Sequence, residues 1–387
     1  MTMMGTKRMN RRQLLLITAA SAVATAGAAL GVNALLERAV QTTGSVRTTT
    51  AHTLYSAADN AAGGHFLTRY DTQTQQYQSV AVNVRGHAIL PMSDNKVVMF
   101  GRRPAFECAV VNFQTQTTQR IAATEGRHFD GHGCLSATGD VLFTTENDYD
   151  GVRGVLGIRD SQTFQHLGEY DTHGLDPHDV HLMPDGKTLV VANGGIQTHP
   201  NFGRRKLNLD TMQPSLVYLD AATGQKLDEY RLPDHLLSIR HLTVTAQGDV
   251  GAALQYEGDL YRQQPVSLVA WQYHGKDLQL LNINSTAITP LNGYMADLAY
   301  DPQQQILAVT ASRGNFVTFW DIEKQQFLSA SNLTEPSGIT FMPSTKQFLV
   351  TGATGEMHTV TASPTEISAT QLHYTPDVLW DNHLVLI

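Results

Sequence analysis

The sequence predicts an all-β fold: a seven-bladed β-propeller whose ring closes between its first and last strands. Three observations carry this. One phrase recurs along the chain: a key position, an alternating apolar run, a turn about six residues on, and a second apolar run. Its key positions at 87, 132, 178, 241, 296, 337 and roughly 376 are spaced 45, 46, 63, 55, 41 and 39 residues apart. Four short strands need about 40–45 residues, the period of a propeller blade. Finally, the N-terminal strands lack an innermost partner while residues 377–387 supply a spare strand. Pairing the two removes the open edges.

In order, residues 54–58, 64–71 and 77–84 read as three short strands separated by turn residues. The phrase then appears as Gly86-His87-Ala88-Ile89-Leu90 with a turn at Ser93-Asp94-Asn95, and again as Gly131-His132-Gly133-Cys134-Leu135 with a turn at Thr138-Gly139-Asp140. Its clearest copy is DPHDVHLMPDGKTLVVANGG, residues 176–195. There Pro184 pre-sets φ and Gly186 accepts a positive φ, which makes a hairpin turn. Arg240-His241-Leu242-Thr243-Val244 is the fourth copy; Ala296-Asp297-Leu298 and Ser337-Gly338-Ile339 head two copies without histidine. A last strand at 377–380, with a turn at Asp381-Asn382, closes the chain. The 63-residue unit holds an insertion, residues 196–214, between the second and third strands of the fourth blade. It carries His199, Arg204, Arg205, Asn208 and Asp210 with few turn breakers, and is expected to form an ordered cap on the face where the inner strands begin.

Residues 1–30 stand apart. Lys7, Arg8, Arg11 and Arg12 precede an apolar, Ala-rich run over 14–30 with no acidic residue, the pattern of an export signal. Arg11-Arg12 followed by Gln13-Leu14-Leu15 suggests the twin-arginine type. Residues 31–51 are a polar linker, residues 52–387 a single propeller domain, and the expected location is the periplasm. The apolar run is short for a stable membrane span, so no membrane insertion is expected once the signal is removed. The remainder holds 23 basic and 35 acidic residues, a net charge of −12, which argues against nucleic acid as partner. Composition is that of a globular protein, with 42% hydrophobic and 16% charged residues. The two cysteines, Cys108 and Cys134, have no metal-type spacing and are expected as buried free thiols, with a single periplasmic bridge between them as the alternative.

In a propeller the innermost strands line an axial channel, and equivalent positions at their starts form a ring at one mouth. His87, His132, His178 and His241 occupy four neighbouring places of seven. Four of 16 histidines in one register is a poor match to chance. One reading is that they close the channel by hydrogen bonds between blades. The other is an imidazole cluster that binds iron, copper or zinc, since neutral imidazole suits such ions. The same mouth receives the ends of the second strands. Arg85, Arg102, Glu146, Asn193, Arg240, Gln255 and Arg313, with His199 and Arg204 of the insertion, are therefore candidate ligand-binding residues for an anion or a metal chelate. No G-x-S-x-G, H-E-x-x-H or phosphate-loop pattern is present.

The phrases GHGCLS, DPHDVHL, VANGGIQTHPNFGRRKLNLDTMQPSLVYLD, LSIRHL and WDNH resemble the bacterial proteins grouped as domain of unknown function 1513, from about His52 to the C-terminus. The resemblance implies a periplasmic, propeller-like protein of unassigned activity with a twin-arginine leader. It also implies a gene neighbourhood of imelysin-like and dihaem-oxidase-like components linked to iron acquisition, which would make periplasmic iron-acquisition or redox proteins its partners. Three functions compete: a metal-binding or metal-relay protein, a non-catalytic docking platform, and a metal-dependent hydrolase of the lactonase kind. The third needs an acidic group near the ring, with Glu146 and Asp179 as candidates.

Overall fold

A computed structural model describes residues 53–93 and 95–387. The expected signal peptide and the whole of the expected linker lie outside the described residues. The described chain forms seven antiparallel sheets, six of four strands each built from consecutive strands. The inner strands of blades 2 to 7 are Gly86–Pro91, Arg127–Leu135, Pro177–Leu182, Leu237–Val244, Leu298–Asp301 and Pro336–Met342. Each packs beside the inner strand of the next blade, and that of blade 7 packs on Val385–Leu386. Blade 1 joins Thr53–Asp59, His65–Asp71 and Tyr77–Val82 to the C-terminal strands Leu379–Trp380 and Val385–Leu386, so the ring closes between the chain ends as expected.

Local chemistry explains the repeat. The strands are rich in Val, Leu, Ile and Phe, and in blades 2 to 6 both faces of the second and third strands are largely buried between neighbouring blades. Trp271, Trp320, Phe143 and Phe319 are among the largest side chains closed off there. Outer turns end on an Asp whose carboxylate accepts from two amides further on, as Asp160 does from Gln162 and Thr163, and Asp220 from Ala222 and Thr223. Cys108 and Cys134 are buried and free. No helix among the described residues is long and apolar enough to cross a membrane.

Two expectations need correction. The closing element is not one strand ending in a turn: Trp380 pairs with Ala58 and Leu386 with Leu54, and residues 381–384 interrupt the same strand between them. The key position of that blade is accordingly His383 rather than a residue near 376. Matching interruptions of register lie between Gly86 and Ile89, Phe129 and Gly133, Pro177 and Asp179, Ile239 and His241, and Pro336 and Ile339. A bulge re-aims side chains out of the alternating pattern, and here it turns the key position toward the axis.

Candidate metal centre

Each ring histidine comes from such an interruption or its edge. His87, His132, His178 and His241 converge on the axis, and His383 of the closing strand joins them; all five are between 1% and 8% exposed. Ring centroids lie 4.6–5.7 Å apart for nine pairs among the five. His132 and His383 face each other Nε2 to Nε2 at 3.1 Å, and His178 and His241 at 2.9 Å. One ring nitrogen from each of His87, His132, His241 and His383 falls within 4.8 Å of all the others. With metal–nitrogen bonds of about 2.0–2.2 Å, nitrogens across an ion lie at most about 4.4 Å apart, so a small inward movement brings the set into coordination range. His178 is outside this tightest group but contacts His241.

Glycines make room for the convergence. Gly131 has φ +110°, and a Cβ there would lie 2.6 Å from Cδ2 of His87. Gly338 stands beside the key position of blade 7, where a Cβ would meet the backbone of His383 and Leu384 at 2.9 Å.

The outer nitrogens differ in their partners. Nδ1 of His383 lies 3.2 Å from Oδ1 of Asp297. Asp297 is itself fixed, since its two oxygens accept from the amides of Leu298 and Ile339. Asp179 repeats the device, accepting from the amides of Val180 and Leu242 and contacting Nε2 of His181 at 3.2 Å. Nδ1 of His132, His178 and His241 have no hydrogen-bond partner among the described residues. Burial holds His87, His132, His178 and His241 well below the ordinary imidazole pKa; for His87 and His241 the charge of His383 adds to it, and for His178 that of Arg240. The ring is therefore mostly neutral imidazole, the form that ligates metals. Burial also disfavours a charge on His383, but Asp297 outweighs it and raises its pKa.

The ring separates two cavities. His132 and His383, with Asp179, His181 and Asp297, line one of about 550 Å³ at the mouth where the turns after the inner strands lie. His87 and His178 line the other, of about 400 Å³, at the mouth where the inner strands begin. Arg102, Arg204, Arg240, Gln255 and Arg313, all named from the sequence, meet there. Arg103, which follows Arg102 at the same strand end, joins them, as do Asp130, Lys206, Tyr294, Ser312 and Asn382, which sequence reasoning did not single out as ligand-binding. The insertion caps this mouth. Asn208 ties its base by accepting from the amide of Gln197 and donating to the carbonyl of Gly195, and Arg204 reaches blade 2 by donating to the carbonyl of Arg103 at 2.9 Å.

The remaining candidates lie elsewhere. Arg85 is half-exposed, paired with Asp59 and Asp381. Asn193 is fully buried and donates to the carbonyl of Thr172 and to Ser215 Oγ. His199 caps the helical turn Pro200–Phe202 by accepting from the amide of Asn201. Glu146 lines neither cavity: it sits inside blade 3, 2.8 Å from Arg159 and accepting from Thr144, in space left by Gly157. Asp179 does lie beside the ring. Burial opposes its charge, but His181, His132 and the Leu242 amide hold it well below the usual carboxylate range, which makes it a weak base.

The family described as protein of unknown function (DUF1513) matches residues 80–387. Among curated proteins none matches the sequence. The hydrazine synthase of Kuenenia stuttgartiensis is similar in structure, with a TM-score of 0.58 and 16% identity over 86% of this chain and 98% of that one. So is a putative 6-phosphogluconolactonase from Bacteroides fragilis, with a TM-score of 0.59 and 14% identity over 89% of this chain and all of that one. At such identities the likeness speaks for the fold alone.

Proposed function

The chain belongs to the DUF1513 family, and we propose that it is a metal-binding propeller whose axial histidines hold one transition-metal ion. The observation that carries this is the set of imidazole nitrogens from His87, His132, His241 and His383, buried together within 4.8 Å. Burying five imidazoles, three of them (His132, His178 and His241) with an unpartnered Nδ1 among the described residues, costs free energy, and a bound cation offsets that cost. An all-nitrogen donor set suits iron, copper or zinc. The arrangement around His383 supports the reading, because metal-ligating histidines usually give their other nitrogen to a carboxylate, as here to Asp297. The twin-arginine pattern at Arg11-Arg12 supports a periplasmic location for this role. There it would handle iron or copper alongside periplasmic iron-acquisition or redox proteins.

Calorimetric titration of untagged, metal-stripped protein with Zn²⁺, Cu²⁺ and Fe²⁺ tests the proposal. One ion per chain is expected for at least one metal, with binding lost in a folded His132→Ala/His383→Ala variant. Saturable binding by none of the three, or equal binding by the variant, would contradict it.

A further inference from the structure

The 400 Å³ cavity above the ring is built for charge of one sign. Arg102, Arg103, Arg204, Lys206, Arg240 and Arg313 surround it. Three carboxylates neutralise part of this: Asp176 is shared by Arg103 and Arg240, Glu257 takes Lys206, and Asp381 takes Arg102 at 2.8 Å. Among the described residues Arg204 and Arg313 have no carboxylate partner; Arg204 donates to a backbone carbonyl, and Arg313 lies over the Tyr294 ring, 4.4 Å from its centroid. Crowded, partly desolvated guanidinium groups repel each other unless an anion joins them.

Buried polar atoms point to the same space. Asp130 lines the cavity and is fully buried, yet among the described residues neither of its oxygens has a hydrogen-bond partner and its one ion-pair contact is with Nδ1 of His128 at 3.4 Å. Nε of Arg240 and Oγ of Ser312, both lining the cavity, are also unpartnered. Such atoms are rare in folded proteins unless a ligand or water completes them.

We propose that this cup binds a small organic polyanion carrying two or more carboxylate or phosphate groups. Guanidinium forks match both groups in a bidentate manner. The volume is in the range of small-molecule sites, about 300–1,000 Å³, and leaves space beyond a single inorganic phosphate. Arg204 on the insertion and Arg313 on blade 6 grip the ligand from different parts of the chain, while Ser312 Oγ and Nε of Arg240 hydrogen-bond its polar atoms. The inference goes beyond the metal reading and does not depend on it, although His87 and His178 bring the anion within reach of the ring.

Calorimetry at low ionic strength, with citrate in one arm and pyrophosphate in the other, tests it on the intact protein, on Arg204→Gln, on Arg313→Gln and on His383→Ala. At least one probe is expected to bind one per chain, which also assigns the anionic group. Each arginine variant should weaken binding about tenfold with unchanged circular dichroism, raised salt should weaken it further, and His383→Ala should leave it in place. Absence of saturable binding by both probes, or affinity unchanged in both arginine variants, would overturn the proposal. So would binding that vanishes in His383→Ala, since the anion would then be held by ring metal and not by the cup.

Discussion

Asp297 occupies the blade 6 place next to a key position that has no histidine, and it serves the ring by way of His383. Its carboxylate is pinned by two backbone amides, so the imidazole it contacts has little freedom to turn. Asp297→Asn keeps the shape and removes the charge. Outer carboxylates of this kind contribute about 10–100-fold to metal affinity, and a loss of that size is expected by competitive titration against a chelating dye. Unchanged affinity would mean that Asp297 merely ties blade 6 to blade 7. Residue type alone did not separate Asp297, which acts at the ring, from Glu146 and Asn193, which do not. All three are polar residues at or near the ends of strands. What divides them is the strand they belong to: Asp297 directly precedes the inner strand Leu298–Asp301, whereas Glu146 and Asn193 lie on second strands, further from the axis.

At the scale of the element, the bulged inner strand is the unit that builds the site. Its repeated phrase put four of the histidines in register from sequence alone, because His87-Ala-Ile-Leu and His241-Leu-Thr-Val share one pattern. His383-Leu-Val-Leu has the same pattern, but Asp381-Asn382 reads as a turn when it is in fact the interruption of a strand that resumes at Val385. The cationic mouth was legible in outline, since second-strand ends do meet there. Asp130 and Lys206 were not, one lying inside a bulge and the other in an insertion whose path depends on tertiary contacts. Leu384 anchors the closing segment among Leu54, Trp380 and Val378 and is 5% exposed. Leu384→Ala should cost about 2–4 kcal/mol, read as a lower urea midpoint. It should also weaken metal binding, because His383 is its neighbour. A change under about 0.5 kcal/mol would show that the closing segment is not held by this contact.

Across the whole molecule, closure of the ring and completion of the site are one event. The segment that pairs the chain ends, through Thr53 with Ile387 and Ala57 with Asp381, is the segment that delivers His383. Six of the seven inner strands shape the axis: four give histidines, the closing strand the fifth, and blade 6 the supporting carboxylate. The two mouths then differ in character, with Asp179 and Asp297 on one side of the imidazoles and arginines on the other. A cation approaching the ring and an anion held above it would thus meet complementary fields at opposite ends of one channel. The ring of imidazoles is proposed to hold a metal ion. Elemental analysis of untagged protein purified from its own host without chelators, beside a folded His132→Ala/His383→Ala variant, tests it most directly. About one iron, copper or zinc ion per chain in the parent and none in the variant is the predicted result; no metal in the parent, or as much in the variant, would contradict it.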